Sequence, residues 1–356
     1  MGNCMSLLFG DDAASNNDLS GKSYAFRYLF SGCTTIVEVS STFLPATTLA
    51  RSCYQYMFHG CSSLTTAPEL PATTLAGSCY QGVFYNCTSL VNAPELPATT
   101  LTSNCYYLMF YSCKGLTTIP ELPATTLASK CYQSMFYGCS SLTTAPSVLP
   151  ATTLASSCYG NMFSGCRSLT TAPTELPATT LANNCYSSMF SGCRSLTTAP
   201  TELPATTLAN YCYSNMFYNC SKLTKAPTVL PATTLKDYCY QSMFSGCSGL
   251  TTAPELPATT LANYCYSNMF YGCSSLITAP ELPATTLTSN CYYLMFYSCS
   301  KLNYIKMLAT DISAYNCLLN WLSGVASTGT FVKNPNMTSL PTGSNGIPSG
   351  WTVLNA

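Results

Sequence analysis

Charge is what this sequence has least of. Only 7% of its 356 residues are Asp, Glu, Lys or Arg, thirteen of each sign, and the formal net charge at neutral pH is zero. That scarcity removes the cationic footprint with which a protein holds nucleic acid or an anionic membrane surface. Histidine is nearly missing as well, His59 being the single imidazole. Without a glycine-rich phosphate loop or a Ser/His/Asp set, no nucleophile has an oriented base. No catalytic residue, metal ligand or cofactor site is therefore assigned, and the chain is read as a non-enzyme. Nor does any stretch approach the roughly 20 apolar residues of a membrane span, so membrane insertion is not expected. The opening MGNCMSLLFGDDAASNND carries neither a basic n-region nor a cleavable apolar run. It starts on an apolar segment, as a chain with a further domain upstream would. Low charge does not mean disorder here, because 47% of the residues are hydrophobic and 12% aromatic, ample material for a core.

What the chain has is repetition. Leu-Pro recurs with Leu at 44, 70, 96, 122, 149, 176, 203, 230, 256 and 282, at intervals of 26 or 27. Each copy reads LPATTLxxxCYxxMFxxCxxLxxAP, with one added residue in APTELP and APSVLP. The addition falls where proline already turns the chain, so it is expected to bulge outward. Degenerate copies flank the array at Ala25–Cys33 and Cys317–Val325. One supersecondary unit is thus repeated, each copy completing the core of its neighbour. The Leu250–Pro254 run and the Ala-Thr-Thr-Leu-Ala run each predict a short strand, cut off by proline. In Cys265–Cys273 the apolar Cys265, Met269, Phe270 and Cys273 follow at steps of four, one and three, which predicts a helical face about two turns long. The expected architecture is an α/β repeat solenoid with short strands and one short helix per repeat, capped at both ends. Its divisions are residues 1-42 for an N-terminal cap and degenerate repeat, 43-302 for ten repeats, and 303-356 for a degenerate last repeat and C-terminal cap.

The MFxGCxSL core, as in Met135–Leu142, resembles the BspA-like leucine-rich-repeat family in residues and period, over roughly residues 25 to 325. The resemblance implies a leucine-rich-repeat-type right-handed coil. It also implies an extracellular or cell-surface protein that adheres to other molecules. LPATT and the fixed Cys-Tyr pair depart from the family pattern, so no ligand site carries over residue by residue.

Ten pairs of cysteines sit eight residues apart, among them Cys53/Cys61, Cys131/Cys139, Cys212/Cys220 and Cys265/Cys273. On a helix that separation spans about 12 Å, against the roughly 7 Å a disulfide allows between Cα atoms. Two readings stay open: buried ladders stacked from coil to coil, or bridges between coils. The tyrosine after each first cysteine, Tyr54 to Tyr292, reads as a packing rung or as a sugar-stacking platform. Positions that differ between copies are more informative. They are the pair before the first cysteine, the pair after the tyrosine and the residue after Phe, the last occupied by His59, Tyr85, Ser164 and Tyr271. Tyr211, Tyr238, Tyr264, Tyr107 and Tyr293 fall at such positions and are the candidate ligand-binding residues, in a composition suited to recognition. Relaxed selection at exposed sites would give the same variety.

Seven of the thirteen acidic residues occupy one repeat position: Glu69, Glu95, Glu121, Glu175, Glu202, Glu255 and Glu281. This acidic stripe reads as a solubilising edge or as a docking line for a basic partner or calcium, with Arg167 and Arg194 available to pair with it. The resulting expectation is a recognition and adhesion scaffold whose partner is an extracellular protein or glycan. Alternatives of other classes are a structural spacer or stalk of a cell-surface or phage appendage, and a carbohydrate-binding module attached to an enzyme.

Overall fold

The computed structural model describes residues 3–14, 16–337 and 340–356. The chain divides into two compact units, Met1–Pro173 and Thr174–Ala356, built from the same coil.

The CYxxMFxxC segment sets the geometry of that coil, and it is not the short helix expected from its apolar spacing. In the first unit the amides of Cys53, Gln55, Met57, His59 and Cys61 each donate to the carbonyl three residues back, at 3.0–3.3 Å. The alternating amides of Ser52, Tyr54, Tyr56, Phe58 and Gly60 donate instead to Gly77, Cys79, Gln81, Val83 and Tyr85 in the next coil, at 2.7–3.1 Å. The second unit repeats the scheme, Tyr213 donating to Cys239 and Phe217 to Met243. Every second amide thus closes a tight turn and every other one crosses to the neighbouring coil. An α-helix would use all of them within its own segment. Every fourth residue has a positive φ, as at Ser52, Tyr56 and Gly60 (53°, 54° and 71°), which a right-handed helix forbids. Cys265, Met269, Phe270 and Cys273 share an inward face in this ribbon of turns too, and for that reason the spacing pattern imitates a helix. Among the described residues the one α-helix is α1 (Ser6–Phe9), before the repeats.

The expected pairs of strands shrink to single parallel bridges. In the first unit they join Thr48 to Thr74 and Thr66 to Asn92; in the second, Thr180 to Thr207 and Lys225 to Thr252. Pro68 and Pro45 and their equivalents, which have no amide to donate, stop each ladder after one rung. Strands form where the repeat decays and the Pro-Glu pair gives way to lysine. β1 (Tyr304–Met307), β2 (Gly329–Lys333) and β3 (Trp351–Asn355) make a parallel sheet in that order, Ile305 opposite Phe331 and Phe331 opposite Val353. The residues added in 27-residue coils, Ser147, Thr174, Thr201 and Thr228, are exposed, as expected of outward bulges.

Stacking coils in register turns each repeat position into a column. In the first unit Phe26, Tyr54, Tyr80, Tyr106, Tyr132 and Tyr159 stack with ring centroids 5.6–5.9 Å apart. Beside them Phe30, Phe58, Phe84, Phe110, Phe136 and Phe163 stack at 5.5–5.7 Å. The second unit has its own tyrosine column from Tyr186 to Tyr292, at 5.6–6.1 Å, and a phenylalanine column from Phe190 to Phe296, at 5.5–5.8 Å. These rings, Phe30 excepted, are almost wholly buried, each removal from water stabilising by about 1.5–3 kcal/mol, with offset stacking on top. In the first unit Cys4 and Met5, just before α1, are buried, and the Cys4 amide bonds the Phe43 carbonyl at 3.1 Å. The second unit ends on Trp321, whose indole donates to Gly346 O at 2.9 Å and meets Phe331 edge-on.

The left-handed positions make a direct test of the ribbon. Gly272 has φ +70° and open space where a Cβ would stand, its nearest neighbour being the Gly246 Cα at 3.9 Å. Gly272→Asn is expected to leave the melting temperature within a degree or two, since Asn tolerates this conformation. Gly272→Val is expected to cost about 1–2 kcal/mol through backbone strain alone. Equal melting curves for the two variants would contradict the turn ribbon.

Candidate functional site

The ribbon alternates in what it shows to solvent. Most residues with positive φ project from the turns, Ser52, Ser134, Ser157 and Asn290 being covered, while the tyrosine and phenylalanine between them point inward. Tyr211, Tyr238 and Tyr264 occupy the first left-handed position of three successive coils, at φ 58°, 58° and 56°. Their rings stack on one another at 4.5 and 4.6 Å with interplanar angles of 7° and 8°, and Tyr211 is 37% exposed. Three of the candidate tyrosines therefore form one surface column. Desolvation within the stack, then the flanking Tyr211 and Tyr264, raise the Tyr238 phenol above its ordinary value. Tyr107 and Tyr293 take a different repeat position, just after the buried Tyr106 and Tyr292, and are half-buried. Tyr293 does not join the column of its unit, and Tyr107 belongs to the other unit, beside Tyr56 and Tyr111.

The first unit carries a second aromatic surface at the position after Phe. His59, Tyr85, Tyr111 and Tyr137 follow one another at 5.1, 4.7 and 4.6 Å, the last two contacts within 3° of parallel. Tyr28 and Tyr56 stack at 5.3 Å alongside, and Tyr56 meets both His59 and Tyr85 edge-on. Arg27 lies 5.0 Å from the Tyr28 ring centroid, and the Ser31 hydroxyl is 3.0 Å from His59 Nδ1. Sequence reading marked His59 and Tyr85 only as variable positions. The signal it passed over was the run of aromatic residues at one position in four consecutive copies. In both columns most ring faces are covered by the neighbouring ring, so edges and hydroxyls meet solvent. That suits hydrogen bonding along the column better than stacking of sugars on flat faces.

The seven stripe glutamates are all exposed. The Glu281 carboxylate pairs with Lys306 Nζ at 3.0 Å, and Glu121 accepts the Ser147 amide at 3.3 Å. Among the described residues neither Arg167 nor Arg194 forms an ion pair with a stripe carboxylate, because both sit next to the second cysteine and not at the proline corner.

The cysteines stand in two ladders running from coil to coil. Cys79 neighbours Cys53 and Cys105, Cys139 neighbours Cys113 and Cys166, and Cys239 neighbours Cys212 and Cys265. The two ladders differ chemically. At the second position the thiol donates to the phenylalanine carbonyl of the preceding coil, as Cys87 does to Phe58, Cys139 to Phe110 and Cys273 to Phe244, at 3.1–3.2 Å. At the first position Cys212 Sγ is 4.0 Å from the Cys239 carbonyl. The invariant tyrosines are packing rungs, yet the buried hydroxyls of Tyr80, Tyr132, Tyr213, Tyr240 and Tyr266 have no hydrogen-bond partner among the described residues. No group of three or more His, Cys, Asp or Glu among the described residues is arranged to hold a metal ion. Among the described residues no helix is long and apolar enough to cross a membrane.

A sequence profile of the BspA type leucine rich repeat region matches residues 23–143, 51–197, 134–268 and 213–320, with six copies. Among solved structures, the chain is similar to a leucine rich cell surface protein from Faecalibacterium prausnitzii. Identity is 21% over 79% of this chain and 75% of that one, with a TM-score of 0.41. It is also similar to a leucine-rich repeat protein from Bacteroides ovatus, at 16% identity over 87% of this chain and 79% of that one, TM-score 0.38. No curated protein matches it.

Two predictions follow from the buried thiols and phenols. Desolvation pushes the Cys53, Cys113, Cys212 and Cys220 thiols up to about 12, and holds the Tyr80, Tyr213 and Tyr240 phenols well above their usual value. The folded state therefore keeps protons that the unfolded chain releases. Its stability is full below the ordinary thiol pKa of about 8.5 and is lost as pH rises from there toward about 12. The melting temperature should be flat from about pH 6 to 8 and fall steeply above about 9, most of the thiolate absorbance appearing only as the circular dichroism is lost. Bulk thiolate formation in a still-folded protein would count against this core.

The second prediction separates the two ladders. Cys212→Ala should cost about 1–2 kcal/mol, and Cys212→Ser roughly 1 kcal/mol more, because the Cys239 carbonyl, 4.0 Å from Sγ, is too far for a hydroxyl on a shorter bond. At Cys139, where the Phe110 carbonyl stands ready, Ser should be no worse than Ala. Chemical denaturation of the four variants reads both differences.

Proposed function

The chain belongs to the BspA type leucine-rich-repeat family, and on that footing we propose that it is a non-enzymatic recognition and adhesion scaffold. It acts outside the cell or at its surface and holds an extracellular protein or glycan along its turn ribbon. Residues 43-302 supply the repeated surface, while 1-42 and 303-356 close the ends. The observation that carries this reading is the columns of stacked, half-exposed tyrosines at the surface of consecutive coils. These rings lie outside the core columns, yet they recur in consecutive coils, each already stacked on the next before any partner arrives. Pre-ordered rings lose little entropy on binding, and tyrosine edges with hydroxyls suit polar, wet interfaces. Contacts repeated at each coil add up to avidity, so no single coil need bind tightly.

The test uses purified protein on a glycan array and on immobilised extracellular-matrix proteins. The comparison variant carries Tyr211→Asn, Tyr238→Asn and Tyr264→Asn. Asn is chosen because equivalent positions already hold Asn104, Asn184 and Asn290 at positive φ. Each lost ring contact should cost about 0.5–1.5 kcal/mol, leaving the fold intact. Binding to the best array target is expected to fall at least tenfold. Unchanged binding would remove the column from the interface, and no binding to any probe would favour a spacer.

A further inference from the structure

The proline corner of the repeat, Pro-Glu-Leu-Pro, builds a second feature on a different part of the coil. Proline on both sides of the glutamate fixes the backbone, and the ring that follows the leucine, as at Pro177, Pro204, Pro257 and Pro283, stands partly exposed at the surface. Where two such corners stack, the rings of successive coils wall a groove. In the second unit one groove of about 500 Å³ lies between Pro254-Glu255-Leu256-Pro257 and Pro280-Glu281-Leu282-Pro283. Another, of about 430 Å³, lies between Glu175-Leu176-Pro177 and Glu202-Leu203-Pro204. Both volumes fall within the usual range for ligand pockets. Each groove is lined by a proline ring from either coil and two exposed carboxylates, with three threonines besides in the second; no cationic residue lines either, and Glu281 of the first is met from outside the groove by Lys306.

Such a groove is complementary to a cation on a flexible apolar stem, whose methylenes lie along the proline rings while the head group meets the carboxylates. The chain already shows this pairing once. Where the next coil loses its Pro-Glu pair, β1 supplies Lys306, and its ammonium sits 3.0 Å from Glu281 Oε2. Lysine is thus the group the fold itself sets against this row of glutamates.

We propose that the two grooves of the second unit bind lysine or arginine side chains of one extended basic polypeptide. Their spacing specifies the partner further. The grooves are three coils apart, which at a strand spacing of about 4.8 Å per coil is roughly 14 Å. An extended chain advances about 3.4 Å per residue, so basic residues four apart, which also project to the same side, reach both grooves together.

The experiment uses full-length protein and fluorescence anisotropy of a labelled serine/glycine peptide carrying two lysines four residues apart. The comparison peptide has the same composition with its lysines adjacent. The spaced peptide should bind at least tenfold more tightly. That advantage should vanish in the variant carrying Glu175→Gln, Glu202→Gln, Glu255→Gln and Glu281→Gln. It should persist when carboxylates outside the row are neutralised by Glu38→Gln and Asp11→Asn. Pro257→Ala and Pro283→Ala, which keep every charge, should weaken binding several-fold. Equal affinity for the two peptides, survival of binding in the quadruple variant, or displacement by millimolar calcium would each overturn the proposal. The tyrosine triple variant should bind the spaced peptide as the unaltered protein does, so failure of the tyrosine surface and failure of these grooves are told apart.

Discussion

Everything in this molecule depends on the division of labour among the ribbon amides. One set closes tight turns and the other reaches the next coil, so a nine-residue segment is at once compact and open to lateral pairing. A helix would consume its own hydrogen bonds and leave neighbouring coils held by side chains alone; a strand would pair laterally but could not turn. The ribbon does both, and the cost is a left-handed residue at every fourth place. Ser, Asn and Gly fill most of those places, as turn chemistry favours, and where tyrosine stands there instead its ring has nowhere to go but the surface. The column of Tyr211, Tyr238 and Tyr264 is thus a by-product of the same backbone constraint that aligns the core.

Lateral pairing also explains why the interior is so uniform. Once backbones stack in register, like sits on like, and a residue is good only if it packs against itself. Flat rings meet that condition through offset stacking. Cysteine meets it at the second ladder position for a different reason, since its thiol reaches back to a carbonyl of the preceding coil that already accepts one amide. The tyrosine hydroxyls meet it least well. Several are buried without a partner, so the ring is retained for its area and its phenol is tolerated.

How much of this was legible in the sequence can be argued position by position. The period, the flanking degenerate copies, the inward set of Cys, Tyr, Met, Phe and Leu and the outward bulge of the added residue were all visible, because they depend only on recurrence and hydropathy. The ribbon was misread as a helix because Cys265, Met269, Phe270 and Cys273 satisfy both geometries. The discriminating clue was Ser, Asn or Gly at steps of four, as in Ser134 and Gly138 or Ser242 and Gly246, a rhythm that a helix has no use for. The column of Tyr211, Tyr238 and Tyr264 could be named from spacing, but not that its rings would cover one another's faces. The thiol-to-carbonyl bonds and the proline-walled grooves were beyond reach, because each is made by residues of two different coils whose meeting depends on register. The stripe of glutamates was legible as a line, though not as the rim of a cavity.

The alternation of amides also sets a parity frame. Removing one residue inside the ribbon would exchange the turn-closing amides with the crossing ones and turn the rings of Tyr213 or Phe217 outward, whereas a residue added at the proline corner changes neither. The two cysteines of every copy are accordingly eight residues apart, while the copies themselves measure 26 or 27. Because each coil offers its successor the same donors that it was offered, recombination between near-identical copies can add or delete whole coils and still yield a chain that closes on itself. Such a gene would be expected to vary between lineages in the number of its coils, with reach along a ligand as the inherited trait, and scarcely at all in the length of the ribbon that each coil contains.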